Sequence, residues 1–156
     1  MSPACRPKTT AVFRRFYDFQ VRALQLFRAE GVKMIAGSDV TGIWCIPGFS
    51  LQAEFRQLAQ AGFTPLDVLQ MTTLNAAAFL GRTSSMGTVE EGRNADLVLL
   101  EADPLADVAN LARIGGVFLR GRYQPKAALQ AMLDSVEGAY LKQPMSAWRE
   151  DVNHKD

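Results

Sequence analysis

A chain of 156 residues, 48% hydrophobic and 21% charged, has globular composition and room for one cored domain. Its formal net charge of +1, with Lys and Arg scattered rather than striped, leaves no electrostatic footprint for nucleic acid. There is no apolar run long enough for a membrane span, and the polar start Met1–Thr10 lacks a signal-peptide core, so the cytoplasm is the expected compartment.

Residues 1–10 read as a loose leader. Over 11–30, Val12, Phe16, Phe19, Ala23 and Leu26 recur at three- and four-residue steps, widened by Phe13, Leu24 and Phe27. That spacing predicts a helix with one apolar face, with Arg14, Arg15, Asp18 and Arg22 toward water and Gly31 just past its end. The apolar-rich run Val32–Ala36 then predicts a strand, closed by Gly37, Ser38 and Asp39. Helix, glycine, strand and acid make half of a βαβ unit. Asp39 is either the turn-forming end of an ordinary strand or a functional carboxylate. The carboxyl ends of strands are where α/β folds gather their ligands.

Residues 40–50, with two glycines and Pro47, form a loop. The loop, which includes Trp44 and Phe49, borders a pocket or packs over a core. Ser50 can cap a helix that carries Leu51, Phe55, Leu58 and Ala59 and ends at Gly62. Thr64-Pro65-x-Asp67 is a sharper start signal, a capping box with proline at the first position and Phe63 and Val68 spaced as a staple. Thr73 can cap a second short helix over Leu74–Leu80, closed by Gly81. The small residues Ala76–Ala78 allow close packing there.

Beyond Gly81 the period changes. Met86–Val89 reads as a short strand, Glu90–Asn94 as a turn, and Ala95–Leu100 as a buried strand with Asp96 at its entrance. Asp103-Pro104 turns the chain, and Asp107–Ala112 forms a helical turn. Ile114–Leu119 is a strand, Gly121-Arg122 a tight turn, and 126–139 a last helix before a polar tail. Strand 32–36 finds no parallel neighbour in the sequence, which suggests a piece of something larger.

Taken together, "VKMIAGSD", "LQAEFRQLAQAGFTPLDVLQMTTLNAAAFLG", "MGTVEEGRNADLVLLEADPLADV" and "VFLRGR" resemble, in order, four successive parts of the metal-dependent amidohydrolase superfamily. These are the eighth barrel strand, the helices after it, the return into the small β-sandwich, and its closing strand. The resemblance spans roughly residues 12–122 and is closest to the imidazolonepropionase-like and prolidase-like branch. It implies an α/β fold: the C-terminal fragment of a (β/α)8 TIM barrel plus a remnant of the β-sandwich. The implied segments are 11–81 for the barrel part, 82–124 for the sandwich part, and 125–156 for a helix and polar tail.

The resemblance also implies a catalytic and metal-binding role for Asp39, the family's last-strand aspartate. A carboxylate there can bind a divalent metal and accept a proton. In the family, zinc or another divalent metal supplies hydroxide for attack on a carbon–nitrogen bond. The paired histidines and middle-strand ligands of the family have no counterpart before residue 12. The one histidine, His154, lies in the polar tail, and Cys5 and Cys45 are far apart in sequence. Asp103 and Asp107 fall in the sandwich-like region, and Gln52 stands where many relatives have histidine. Asp96 and the glycines at 87 and 92 are expected to be structural.

The expectation is therefore a chain that holds no catalytic metal and hydrolyses nothing alone. Its partners would be a second copy or an N-terminal barrel chain, with a small amide as substrate of the complete enzyme. The alternatives are a non-catalytic interaction or oligomerisation module derived from the same fold, and a complete enzyme of another mechanism. Ser38 beside Asp39, with no usable histidine, gives the last little support.

Overall fold

The computed structural model describes residues 7–40 and 45–141. The expected leader and tail, with Cys5, Trp44 and His154, lie outside the described residues. The chain forms two compact units. One runs up to Asn94 and takes in Leu100–Arg113; the other joins Ala95–Leu99 to the chain from Ile114 onward.

The first unit is helical. Its elements are α1 (Pro7–Ala29), α2 (Ser50–Gln60), α3 (Pro65–Thr72), α4 (Leu74–Phe79) and a 3-10 turn over Val108–Ala112. Phe55, Leu58, Ala61, Phe63, Val68, Met71 and Val108 form its core, with Val21, Leu24, Met34 and Ala36 packed against them. The predicted helix in 11–30 is present, but its predicted core stripe faces outward. Val12, Phe16, Phe19 and Leu26 are exposed, and Val21 and Leu24 make the contact. Periodicity marks a helix; it does not say which of two apolar faces meets the core.

The α3 start is as its sequence predicts. The Asp67 amide donates to Thr64 Oγ1 at 3.2 Å, and the Thr64 amide donates to Asp67 Oδ2 at 2.8 Å. Phe63 and Val68, the staple pair, are both buried. The Thr64 hydrogen bonds, with Arg28 adding its charge, hold the Asp67 carboxyl below its ordinary range. A carboxylate with a depressed folded-state pKa stabilises above its unfolded pKa, and that contribution is lost as pH falls through the folded value. Thr64→Ala should lower stability by about 1 kcal/mol near neutral pH. In denaturant titrations over a pH series, the difference between wild type and Asp67→Asn should shrink as the solution is acidified below the ordinary aspartate range. An unchanged midpoint for Thr64→Ala would count against the cap.

Two expected caps are not made. Ser50 is the first residue of α2, its Oγ accepting the Ile46 amide at 2.7 Å, and Phe49 occupies the cap position without a side-chain bond. The Thr73 hydroxyl donates back to the Leu69 carbonyl at 2.6 Å, so α4 starts without a side-chain cap. In each case another backbone group within four residues takes the hydroxyl. The predicted strand at Met86–Val89 is also absent. Gly87, at φ 101°, lies against α4, where the alanines leave room for it.

The second unit is a three-stranded sheet in the order β1 (Leu97–Leu100), β2 (Ile114–Leu119), β3 (Arg122–Pro125), with α5 (Lys126–Leu141) packed on β2 and β3. β2 and β3 are antiparallel, with Val117 opposite Gln124 and Phe118 opposite Tyr123. Arg120 and Gly121 turn the hairpin at φ 51° and 76°, the backbone of a two-residue primed turn. Asp96 Oδ1 accepts the Arg120 amide at 2.6 Å, which gives it the structural role expected. β3 was read only as a turn leading out, because Arg-Tyr-Gln-Pro has neither an apolar run nor a clear alternation. Gly116 lies under Tyr123, and an added Cβ would come within 2.7 Å of the ring. Tyr123 is 48% exposed and can swing outward. Gly116→Ala should therefore cost little more than the Phe118–Tyr123 ring contact, about 1 kcal/mol by thermal denaturation.

Candidate functional site

The segment Val32–Asp39 leaves α1 through Gly31, whose φ is 67°. The Val32 amide donates to the Phe27 carbonyl at 2.9 Å, closing the helix end. From there the chain runs without regular secondary structure, so the predicted strand at 32–36 is not formed. A strand needs a neighbour to take its amides, and among the described residues none lies alongside. Two tethers from the helices replace it. The Ala36 amide donates to the Met71 carbonyl at 3.2 Å, and Asn75 Nδ2 donates to the Met34 carbonyl at 2.9 Å.

Burial along the segment still alternates. Met34, Ala36 and Ser38 are half-buried, while Lys33, Ile35, Gly37 and Asp39 are exposed. Asp39 therefore shares the outward face with Ile35, at the carboxyl end of the segment. Its φ of 45° is left-handed, a conformation that Asp tolerates better than most residues.

The other candidates do not gather around it. Among the described residues no three His, Cys, Asp or Glu side chains stand close enough together to hold a metal. A metal centre needs several donors, so the described residues do not fit one by themselves. Asp103 Oδ1 accepts the Leu105 amide at 2.9 Å and Asp107 Oδ1 accepts the Ala109 amide at 2.8 Å, which makes both of them turn and cap residues. Gln52 Nε2 donates to the Leu111 carbonyl at 3.3 Å and ties α2 to the 3-10 turn. Cys45 is a half-buried free thiol. A cleft of about 280 Å³ beside the segment is lined by Arg28, Lys33, Phe63, Asp67, Gln70 and Asn75; Asp39 is not on its wall.

Two groups were not singled out from the sequence. Asn75 positions the segment through the Met34 carbonyl, and its only signal was a polar residue in an otherwise apolar helix. Glu54, on α2, is half-buried, and burial raises its carboxyl pKa above the ordinary range.

Comparison with known proteins gives this geometry a context. The profile of the Amidohydrolase family matches residues 20–123. The imidazolonepropionase of Thermoplasma volcanium is 30% identical over 87 residues, 54% of this chain and 20% of that protein. Among solved structures, a protein described as a prolidase, from Bifidobacterium longum, superimposes with a TM-score of 0.60 at 31% identity. That match covers 74% of this chain and 30% of the other. A Xaa-Pro dipeptidase solved with methionine in its active site shares the fold, at a TM-score of 0.63 and 24% identity over 77% of this chain and 28% of its own.

The chain belongs to the amidohydrolase family. It spans between a fifth and a third of the length of these relatives.

Proposed function

We propose that this chain forms the C-terminal part of the barrel of a metal-dependent amidohydrolase, a hydrolase acting on carbon–nitrogen bonds. In this reading residues 11–81 belong to the barrel, 82–124 to the small β-sandwich, and 125–156 to a terminal helix and tail. Asp39 is the carboxylate it brings to the active site. Zinc or another divalent metal is the cofactor of the complete enzyme, its remaining ligands coming from outside the described residues. The substrate class is a small amide, such as a dipeptide, an N-acyl amino acid or a cyclic amide, and the setting is the cytoplasm.

The observation that carries this reading is the position of Asp39. It closes an extended, family-matched segment, on the outward face and at the carboxyl end, where α/β enzymes concentrate their chemistry. One carboxylate can bind a cation weakly or accept a proton, but it does not make a hydrolytic centre.

The test is metal analysis of the gently purified chain together with assays on dipeptides, N-acyl amino acids and cyclic amides. The expected result is less than one tightly held metal per chain and no turnover. One stoichiometric metal with turnover abolished by Asp39→Asn would mean instead that the chain is an enzyme in its own right.

A further inference from the structure

The segment Val32–Asp39 keeps the side-chain alternation of a strand while joining no sheet among the described residues. Its inner residues, Met34 and Ala36, already pack on the helical core, so its register relative to the helices is fixed. Its outer row, Lys33, Ile35, Gly37 and Asp39, is exposed. Edge strands are normally guarded by charge, proline or a bulge, and between Lys33 and Asp39 this segment carries none of these. In the same unit α1 exposes Val12, Phe16, Phe19 and Leu26, each more than half accessible. These residues recur at three- and four-residue steps and their multiples, which makes one stripe along the helix, separate from the Val21 and Leu24 contact with the core. A helix apolar on two faces is built to be covered on both.

Resting on the function proposed above, we infer that Val32–Asp39 is a docking strand, inserted between two strands of the remaining amidohydrolase barrel. The exposed α1 stripe packs against the same partner. Two features select this occupant over a second copy of the chain. A strand with open edges on both sides needs two neighbours, whereas two copies pairing through this segment would fill one edge of each. The relatives extend far beyond the match, which takes up only 20–30% of their length, so the remainder of such a protein is polypeptide of the right kind to supply the strands. Insertion requires one exchange within the chain. The Ala36 amide, now bonded to the Met71 carbonyl, turns to a neighbouring strand.

The experiment mixes the purified full chain with the Bifidobacterium longum prolidase from which the matched portion has been deleted. Complex formation is followed by sedimentation, and the amides of residues 33–38 by hydrogen exchange. The expected result is a one-to-one complex in which exchange at Ile35, Ala36 and Gly37 slows by at least about tenfold, as for newly made backbone bonds. Ile35→Pro should prevent that protection. Phe16→Glu with Phe19→Glu, placed on an already exposed surface, should weaken the complex at least about tenfold while leaving the helical signal of the free chain unchanged.

Absence of a complex, or the same protection arising from self-association alone, would overturn the docking strand. A protected complex without metal or turnover would overturn the hydrolase reading and leave docking intact. Turnover in the mixture without protection at 33–38 would do the reverse.

Discussion

Gly87→Ala is expected to lower the stability of the first unit by about 3 kcal/mol, the sum of a left-handed backbone and an overfilled contact. A Cβ on Gly87 would stand 2.7 Å from Ala77 Cβ and 3.3 Å from Leu74 Cα. Neither neighbour can swing away, because one is a methyl on a helix and the other is backbone. Ala77 is fully buried, so the collision is not relieved by solvent. Gly92 is the natural control. It also has a positive φ, of 82°, but nothing lies within 4 Å of the position its Cβ would take. Gly92→Ala should show only the backbone cost, about 1 kcal/mol. Urea denaturation of the two variants separates the terms. Equal losses would mean that the Gly87–Ala77 approach contributes nothing.

This contact also marks where sequence reasoning stops. The alanines at 76–78 announce close packing, and the structure supplies it, but through the Gly87 loop rather than another helix. Signals confined to a few neighbouring residues were legible. The Thr64–Asp67 exchange of hydrogen bonds and the buried Phe63 and Val68 follow from spacing alone. So does Asp96 at the entrance to β1, once its hairpin is in place. Signals that depend on distant partners were not. Val32–Ala36 has strand composition, yet no neighbour among the described residues takes its amides, and two helices take hold of it instead. The α1 stripe has a helical period, but which face meets the core is decided by α2 and α3. Ser50 and Thr73 have the right chemistry for caps and lose the competition to nearby backbone groups.

The candidate site follows the same division. Nothing in the local sequence separates Asp39 from a turn residue, and only the resemblance raised it to a catalytic candidate. The structure adds the face and the backbone: outward beside Ile35, and left-handed. The cysteines and His154 could be weighed only by their distance along the chain. Asp103 and Asp107, read from the sequence as peripheral, hold local turns.

In a complete enzyme assembled with this chain, Asp39→Asn should lower kcat/KM by about 10²- to 10⁴-fold, the range for losing a positioned proton acceptor. Asparagine is the informative replacement. It keeps the size of the side chain and, like aspartate, tolerates the left-handed backbone at φ 45°, so the turn survives. It removes the negative charge and the proton acceptor together. In the isolated chain the same substitution should change stability by less than about 0.5 kcal/mol, because Asp39 is exposed. Asp39→Ala is less clean, since a left-handed alanine adds backbone strain to any chemical loss. The measurement pairs steady-state kinetics and metal content of the assembled enzyme with denaturation of the free chain. Lost turnover with intact folding places the carboxylate in the chemistry, and a fall in bound metal alongside it assigns the ligand role. Unchanged kcat/KM would return Asp39 to an ordinary turn at the end of an extended segment, and the active-site carboxylate would have to come from elsewhere.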